Sequence, residues 1–255
     1  MSKTKTKNRK KVTAKSQRLN RILSSAGLTS RRKADEWIKE GAVAVNGRPV
    51  TVLGAKAVWG LDRITVNDRE IPEPSARIYL MLNKPFGYMC SLSDPGGRAL
   101  AVDLLRDVEQ RVYPVGRLDF DSLGLLLFTN DGEWAHRLTH PKYHIPRTYK
   151  VTVAGEITDK ALSLLEAGVV LEDGPSGSAR VTLISRNKRQ SVIRMTITRG
   201  KNRQIRRMMD AVGYKAVHLI RTGFAMFTLG DLKIGEYRYL ETHETESMKQ
   251  LVGLM

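Results

Sequence analysis

The sequence predicts an α+β protein in two parts, a small basic α/β domain followed by a larger α+β domain. Three observations predict it. Residues 18–41 place apolar side chains at helical spacing, and Val43-Ala44-Val45 before Asn46-Gly47 is a strong hairpin signal. Ile71-Pro72-Glu73-Pro74-Ser75 then interrupts the pattern with two prolines, as a stiff, extended linker does. Beyond it, short strand-like runs are mixed with helical patterns. One of them, Leu125-Leu126-Leu127-Phe128, is apolar at every position and reads as a strand buried on both faces. The expected parts are a disordered basic tail (1–16), a first domain (17–71), a linker (72–76) and a main domain (77–255).

Charge narrows the function. The 43 Lys and Arg exceed the 26 Asp and Glu by 17, which asks for a polyanionic partner, most simply nucleic acid. An anionic membrane is the rival, but the chain has no apolar run of spanning length and no long basic amphipathic helix. The single cysteine, Cys90, excludes an internal disulfide framework and a multi-thiolate zinc site. The basic N-terminus lacks the apolar stretch of a secretion signal, so a cytoplasmic protein is expected.

In chain order, the tail is Lys, Thr, Ser and Asn, and cannot offset its ordering entropy by burial. Leu19, Ile22, Leu23 and Ala26 form one helical stripe, which Gly27 ends. Thr29 or Ser30 caps a second helix presenting Ala34, Trp37 and Ile38 and stopping at Gly41. Its first turn is Arg31-Arg32-Lys33. Three cations there oppose the helix dipole, and a docked phosphate would turn that penalty into attraction. After the hairpin, strand is expected near Val50–Val52 and Arg63–Val66.

The main domain opens with a strand at Ile78–Leu82 and a turn at Asn83-Lys84-Pro85-Phe86-Gly87. Ser93–Arg98 reads as a loop and Val102–Leu105 as a short helix. Gly116 to Gly124 then sets charged residues directly before the apolar run, and Asn130-Asp131-Gly132 ends the strand with turn chemistry. Asp119 therefore sits at the lip of the core, where a carboxylate must find a partner or shift its pKa. The residues alone leave three readings open: an ion pair with Arg117, a metal site with Asp121 and Asp131, or a nucleophilic carboxylate.

Trp134 and Leu138 suggest a helix. His136, His140 and His144 are spaced by four, but Pro141 breaks helical geometry, so no metal site is expected there. Arg147 to Val153 alternates as a strand, on which Tyr149 reads as core, the usual place of an aromatic on a strand. Thr158 caps a helix closed by Gly168, and strands follow at Val169–Leu171, Ala179–Ile184 and Ser191–Thr198. Ile205, Met208, Met209 and Val212 make a helical stripe that ends at Gly213, with another cation-rich first turn. Strands are expected at Val217–Ile220 and Met226–Leu229, and residues 241–255 carry only weak patterning.

The segment Arg117-Leu118-Asp119, with Ser122, Gly124-Leu125-Leu126 and Thr129-Asn130-Asp131-Gly132, resembles the signature of the RNA pseudouridine synthases of the RsuA/RluB/RluE/RluF group. Asn83-Lys84-Pro85-Phe86-Gly87 and Gly200-Lys201-Asn202-Arg203-Gln204-Ile205-Arg206-Arg207-Met208 resemble two further motifs of that family. Residues 17–70 resemble the small S-four-type RNA-binding domain first seen in a ribosomal protein.

The resemblance implies a bent, mixed, largely antiparallel sheet with flanking helices, and isomerisation of a uridine in ribosomal RNA. It implies that Asp119 is catalytic, that the Arg matching Arg206 approaches it, and that Tyr149 stacks on the target base. In the family a Lys stands where this chain has Arg147. RNA contacts are expected from Arg31, Arg32, Lys33, Lys84, Arg117, Arg147, Lys201, Arg203 and Arg207. No atom is gained or lost and no redox change occurs, so no cofactor or metal is expected. The expected partner is ribosomal RNA, large-subunit RNA in preference, and the expected state is a monomer. The alternative is a non-catalytic RNA-binding factor for ribosome assembly, which the charge and the first domain fit equally well.

Overall fold

The computed structural model describes residues 16–254. The expected basic tail lies outside the described residues, apart from Ser16. The chain divides into two compact units, the second beginning at Arg77.

In the first unit, helices Leu19–Ser25 and Arg31–Lys39 bury Leu19, Ile22, Leu23, Ala34 and Ile38 in one apolar cluster with Val43, Ala57 and Ile64. The Ser30 hydroxyl accepts from the Lys33 amide and so caps the second helix. A four-stranded sheet runs in the order Arg48–Pro49, Val43–Val45, Ile64–Val66, Arg69–Glu70. Asn46 (φ 51°) and Gly47 (φ 78°) form the left-handed pair that the tight turn requires.

The second unit is built on a mixed sheet. Its main path is Arg180–Arg186, Gln190–Ile197, Arg147–Ala154, Ala216–Phe224, Leu123–Thr129, Tyr79–Lys84 and Tyr237–Tyr239. Neighbours are antiparallel except Ala216–Phe224 and Leu123–Thr129, which run parallel. Strand Leu123–Thr129 separates two cores: Leu126 and Phe128 enter one, Leu125 and Leu127 the other. Burial on both faces is why its apolar run shows no alternation. Among the described residues, no helix is long and apolar enough to cross a membrane.

In the first unit the strand expected near Val50–Val52 is found at Arg48–Pro49 instead, and in the second unit three boundaries differ most from expectation. The first strand of this unit continues through Asn83 and Lys84, because Lys84 pairs in register with Gly124. Residues 216–224 form one long strand, and Phe227–Thr228 folds back on it after Ala225 takes a left-handed turn (φ 53°). Thr242–Leu251 is a helix that seats Met248 in the second core.

Candidate active site

The loop carrying Asp119 is held from beneath. Lys84 is fully buried, and its ammonium donates to the carbonyls of Pro85 (3.0 Å), Asp119 (3.2 Å) and Ser122 (2.8 Å). The Gly87 amide donates to the Phe120 carbonyl (2.9 Å), which ties the 85–87 turn to the same loop. Burial pushes the Lys84 ammonium down; Cys90, Asp119 and Asp121 nearby oppose that. The expected RNA contact by Lys84 is therefore corrected. A side chain without exposed surface cannot meet a phosphate, and this one fixes the Asp119 backbone.

Gly124 lets the loop enter the sheet. Its φ of +103° suits glycine, and a Cβ there would collide with the Arg221 backbone on the parallel neighbour. The loop's own carboxylates then diverge. Asp119 keeps 30 % of its side chain exposed and lines a cleft of about 430 Å³. That volume lies within the ~300–1,000 Å³ of small-ligand sites. Asp121 turns to the helix Gln204–Ala211.

Arg203 precedes that helix in a left-handed conformation (φ 46°). Its two terminal nitrogens meet the Asp121 carboxylate at 3.2 Å each, and Nη1 lies 4.0 Å from Asp119 Oδ2. Burial opposes the charge of Asp121, but the hydrogen bond from Arg203 and the charges of Arg206 and Arg203 outweigh it and hold the carboxyl below its usual range. Arg206 does not pair with Asp119. It donates to the Ala216 carbonyl (2.8 Å) and the Asp121 carbonyl (3.1 Å), and sits 3.2 Å from Asp121 Oδ2. The expectation for Arg206 is corrected on this point: one turn into the helix, it reaches Asp121, and Arg203 is the arginine beside Asp119.

Tyr149 lines the same cleft from strand Arg147–Ala154, with most of its surface covered. Arg147 also lines it, but its guanidinium donates to the carbonyls of Ile145, Thr198 and Leu138 and lies 5.3 Å over the Phe224 ring. Arg117 reaches the cleft without a hydrogen bond or ion pair from its side chain among the described residues. The proposed Arg117–Asp119 pair is therefore absent there. The metal reading fails on Asp131, which is buried, bonds the Tyr79 hydroxyl and Arg77 at 2.9 Å each, and caps the helix Gly132–Thr139.

The remaining cations divide. Lys201 and Arg207 both pair with Asp173, at 3.3 and 2.9 Å. The hydrogen bond from Arg207, with a second from Lys201, holds the Asp173 carboxyl down at about 2. The cation-rich first turn of this helix is thus answered by acids from other elements. In the first unit, Lys33 pairs with Glu36 at 2.8 Å, whereas Arg31 and Arg32 are exposed.

One site residue was not singled out from the sequence. Arg221 is fully buried, lines the cleft and donates Nε–H to the Leu125 carbonyl at 2.7 Å. Its signal was an arginine directly after the apolar pair Leu219-Ile220 of a strand.

The family model for RNA pseudouridylate synthases matches residues 78–211, and that for the S4 domain matches residues 17–56. The chain is 44 % identical over 237 residues to the ribosomal large subunit pseudouridine synthase B of Bacillus subtilis, covering 92 % of this chain and 96 % of the relative. It is 38 % identical over 245 residues to the protein of the same name from Pseudomonas aeruginosa, covering 93 % of this chain and 63 % of that one. A crystal structure of a pseudouridylate synthase superposes with a TM-score of 0.66 at 31 % identity, covering 91 % of this chain and 99 % of the other.

Proposed function

Because this chain belongs to the RNA pseudouridylate synthase family, we propose that it converts a uridine of large-subunit ribosomal RNA to pseudouridine in the cytoplasm, with Asp119 acting on the nucleoside. The observation that carries this is the placement of Asp119: a partly exposed carboxylate in a cleft that Tyr149 also lines, with Arg203 4.0 Å away.

The reaction needs little from outside the substrate. The glycosidic bond is cut, the uracil rotates, and a ring carbon joins the sugar in place of the nitrogen. The proton on that carbon leaves and the nitrogen gains one, so the product is an isomer. The target must first leave its stack to be reached. Asp119 then attacks the sugar or accepts its proton, and either role requires the ionised carboxylate. Arg203 supplies the adjacent positive charge, and Tyr149 offers a ring face to the uracil. Arg206 acts through Asp121, as a positioning residue for the loop.

The substrate assignment draws support from the two relatives named for the large ribosomal subunit and from the S4 domain match. The experiment is Asp119→Asn, with large-subunit ribosomal RNA as substrate. RNA binding should persist and pseudouridine formation should fall below detection. Undiminished product from the variant rejects the role of Asp119. Mapping pseudouridines in ribosomal RNA with and without the gene identifies the uridine, and a loss confined to small-subunit RNA would overturn the substrate assignment.

A further inference from the structure

Two phenylalanines beside Asp119 are left in solvent. Phe86 is 60 % exposed and Phe120 is 40 % exposed, and their ring centroids lie 5.9 Å apart at a tilt of 58°. Each belongs to a different loop, and both loops are locked. The Lys84 ammonium bonds carbonyls on both sides, and the Gly87 amide donates to Phe120 itself. Gly87 turns the chain between the two rings with a left-handed φ of +82°. The rings are thus held in place yet not buried. Neither ring belongs to the sheet's two apolar cores.

Phe120 lines the cleft next to Asp119, and Phe86 extends the aromatic surface outward from it. Cationic side chains stand around the same opening, with Arg117 unpaired among the described residues and Arg203 close to Asp119. A fixed aromatic face beside positive charge is what an unstacked nucleobase on a phosphate backbone requires. The centroid spacing is too short for a base to enter between the rings, so the outer faces are the available ones.

We infer that Phe86 and Phe120 form a stacking platform for an RNA base adjacent to the target uridine, a subsite separate from the place of the uracil against Tyr149. This rests on the reading of Asp119 above. Flipping a nucleotide exposes its neighbours, and a stacking surface at the cleft mouth replaces part of what they lose. Recognition by a ring face is tolerant of sequence, so the subsite fixes the strand and leaves base choice to the cleft.

The test uses the full chain and a single-stranded RNA oligonucleotide of about twelve residues, with uridine and 2-aminopurine at neighbouring positions. Unaltered protein should quench the 2-aminopurine fluorescence on binding. Phe120→Ala, Phe86→Ala and the double variant should weaken binding between about fivefold and about a hundredfold. They should also lose the quench and leave the slope of log affinity against log salt unchanged, because no phosphate contact is removed. Phe86→Tyr with Phe120→Tyr should restore both signals. Unchanged affinity and quench in the double variant overturn the inference. So does a double variant that changes only self-association, which would make the pair a contact between copies. Failure of the Asp119 reading shows separately, as pseudouridine formation by Asp119→Asn.

Discussion

Asp121 grips Arg203 through both of its oxygens, Oδ1 on Nη1 and Oδ2 on Nη2, at 3.2 Å each. The same carboxylate faces Arg206, whose side chain is only 12 % exposed, while Arg203 is half open to water. Solvent therefore screens the first pair more than the second. Asp121→Asn should destabilise the protein by about 1–2 kcal/mol, mostly through the charge lost beside Arg206. The Asp121 carboxyl is held below its usual value in the fold. Its contribution is thus complete above the unfolded value near ~4 and is lost as pH falls through the lower folded value. Urea unfolding of both proteins checks this: the gap in midpoints should be constant from about pH 7 to 5 and close in more acid solution. A gap that does not respond to pH removes the electrostatic account.

Lys84 shows where the sequence was silent. A lysine in a glycine- and proline-containing motif reads as a surface cation, because most lysines are exposed. Its burial follows from three carbonyls converging from loops distant in sequence. The choice of Arg203 over Arg206 as the neighbour of Asp119 is of the same kind. It depends on Arg203 standing before the helix in a left-handed conformation, which local periodicity does not reveal. By contrast, strand Leu123–Thr129 was readable, since burial on both faces leaves an apolar run that local pattern reveals. The helix Thr242–Leu251 was not readable: of its ten residues only Thr245 and Met248 are buried, too few to make a stripe.

Lys84→Met keeps the aliphatic stem and removes the ammonium. Three carbonyls then lose the ammonium inside the protein, although that of Asp119 keeps the Ser122 amide at 3.1 Å, and the expected loss is roughly 2–4 kcal/mol. The loop holding Asp119 should loosen with it. The turnover number should drop at least tenfold at a temperature where the variant remains folded, with RNA affinity changed much less. Thermal unfolding and single-turnover pseudouridine formation measure the two effects. Loss of stability with full turnover would show that the clamp serves the fold alone.

Gly124→Ala places a methyl group against the Arg221 backbone and forces alanine into a positive-φ conformation. Neither strain can be relieved by a side-chain rotation, because the obstacle is main chain on a paired strand. The expected cost is about 4 kcal/mol or more, enough to leave little folded protein. Soluble yield and the urea midpoint report it. Near-normal stability would mean that the two parallel strands separate more easily than their packing implies.

Asp173 occupies Lys201 and Arg207 in the free protein. If these cations meet RNA phosphates, Asp173 competes with the substrate. Asp173→Asn should then strengthen RNA binding at low salt and steepen its salt dependence by between about one and two units of log–log slope. Titrations at several salt concentrations decide it. An unchanged slope would place both side chains off the RNA path.

Arg31, Arg32 and Lys33 share the first turn of one helix, yet among the described residues only Lys33 has a carboxylate paired with it, Glu36 at 2.8 Å. Glu36 raises the Lys33 pKa by a hydrogen bond and by its charge. The unfavourable meeting of cation and helix dipole is therefore answered at Lys33 and left open at Arg31 and Arg32. A phosphate should be drawn to the two arginines first. Replacing both by alanine should weaken RNA binding without unfolding the protein, and should reduce the log–log salt slope by about 1.5. Lys33→Ala should change the slope by less than half as much, because its ion pair with Glu36 must be broken before it can serve the RNA. Equal effects at all three positions would mean that charge density, and not the state of each side chain, sets the affinity of this helix.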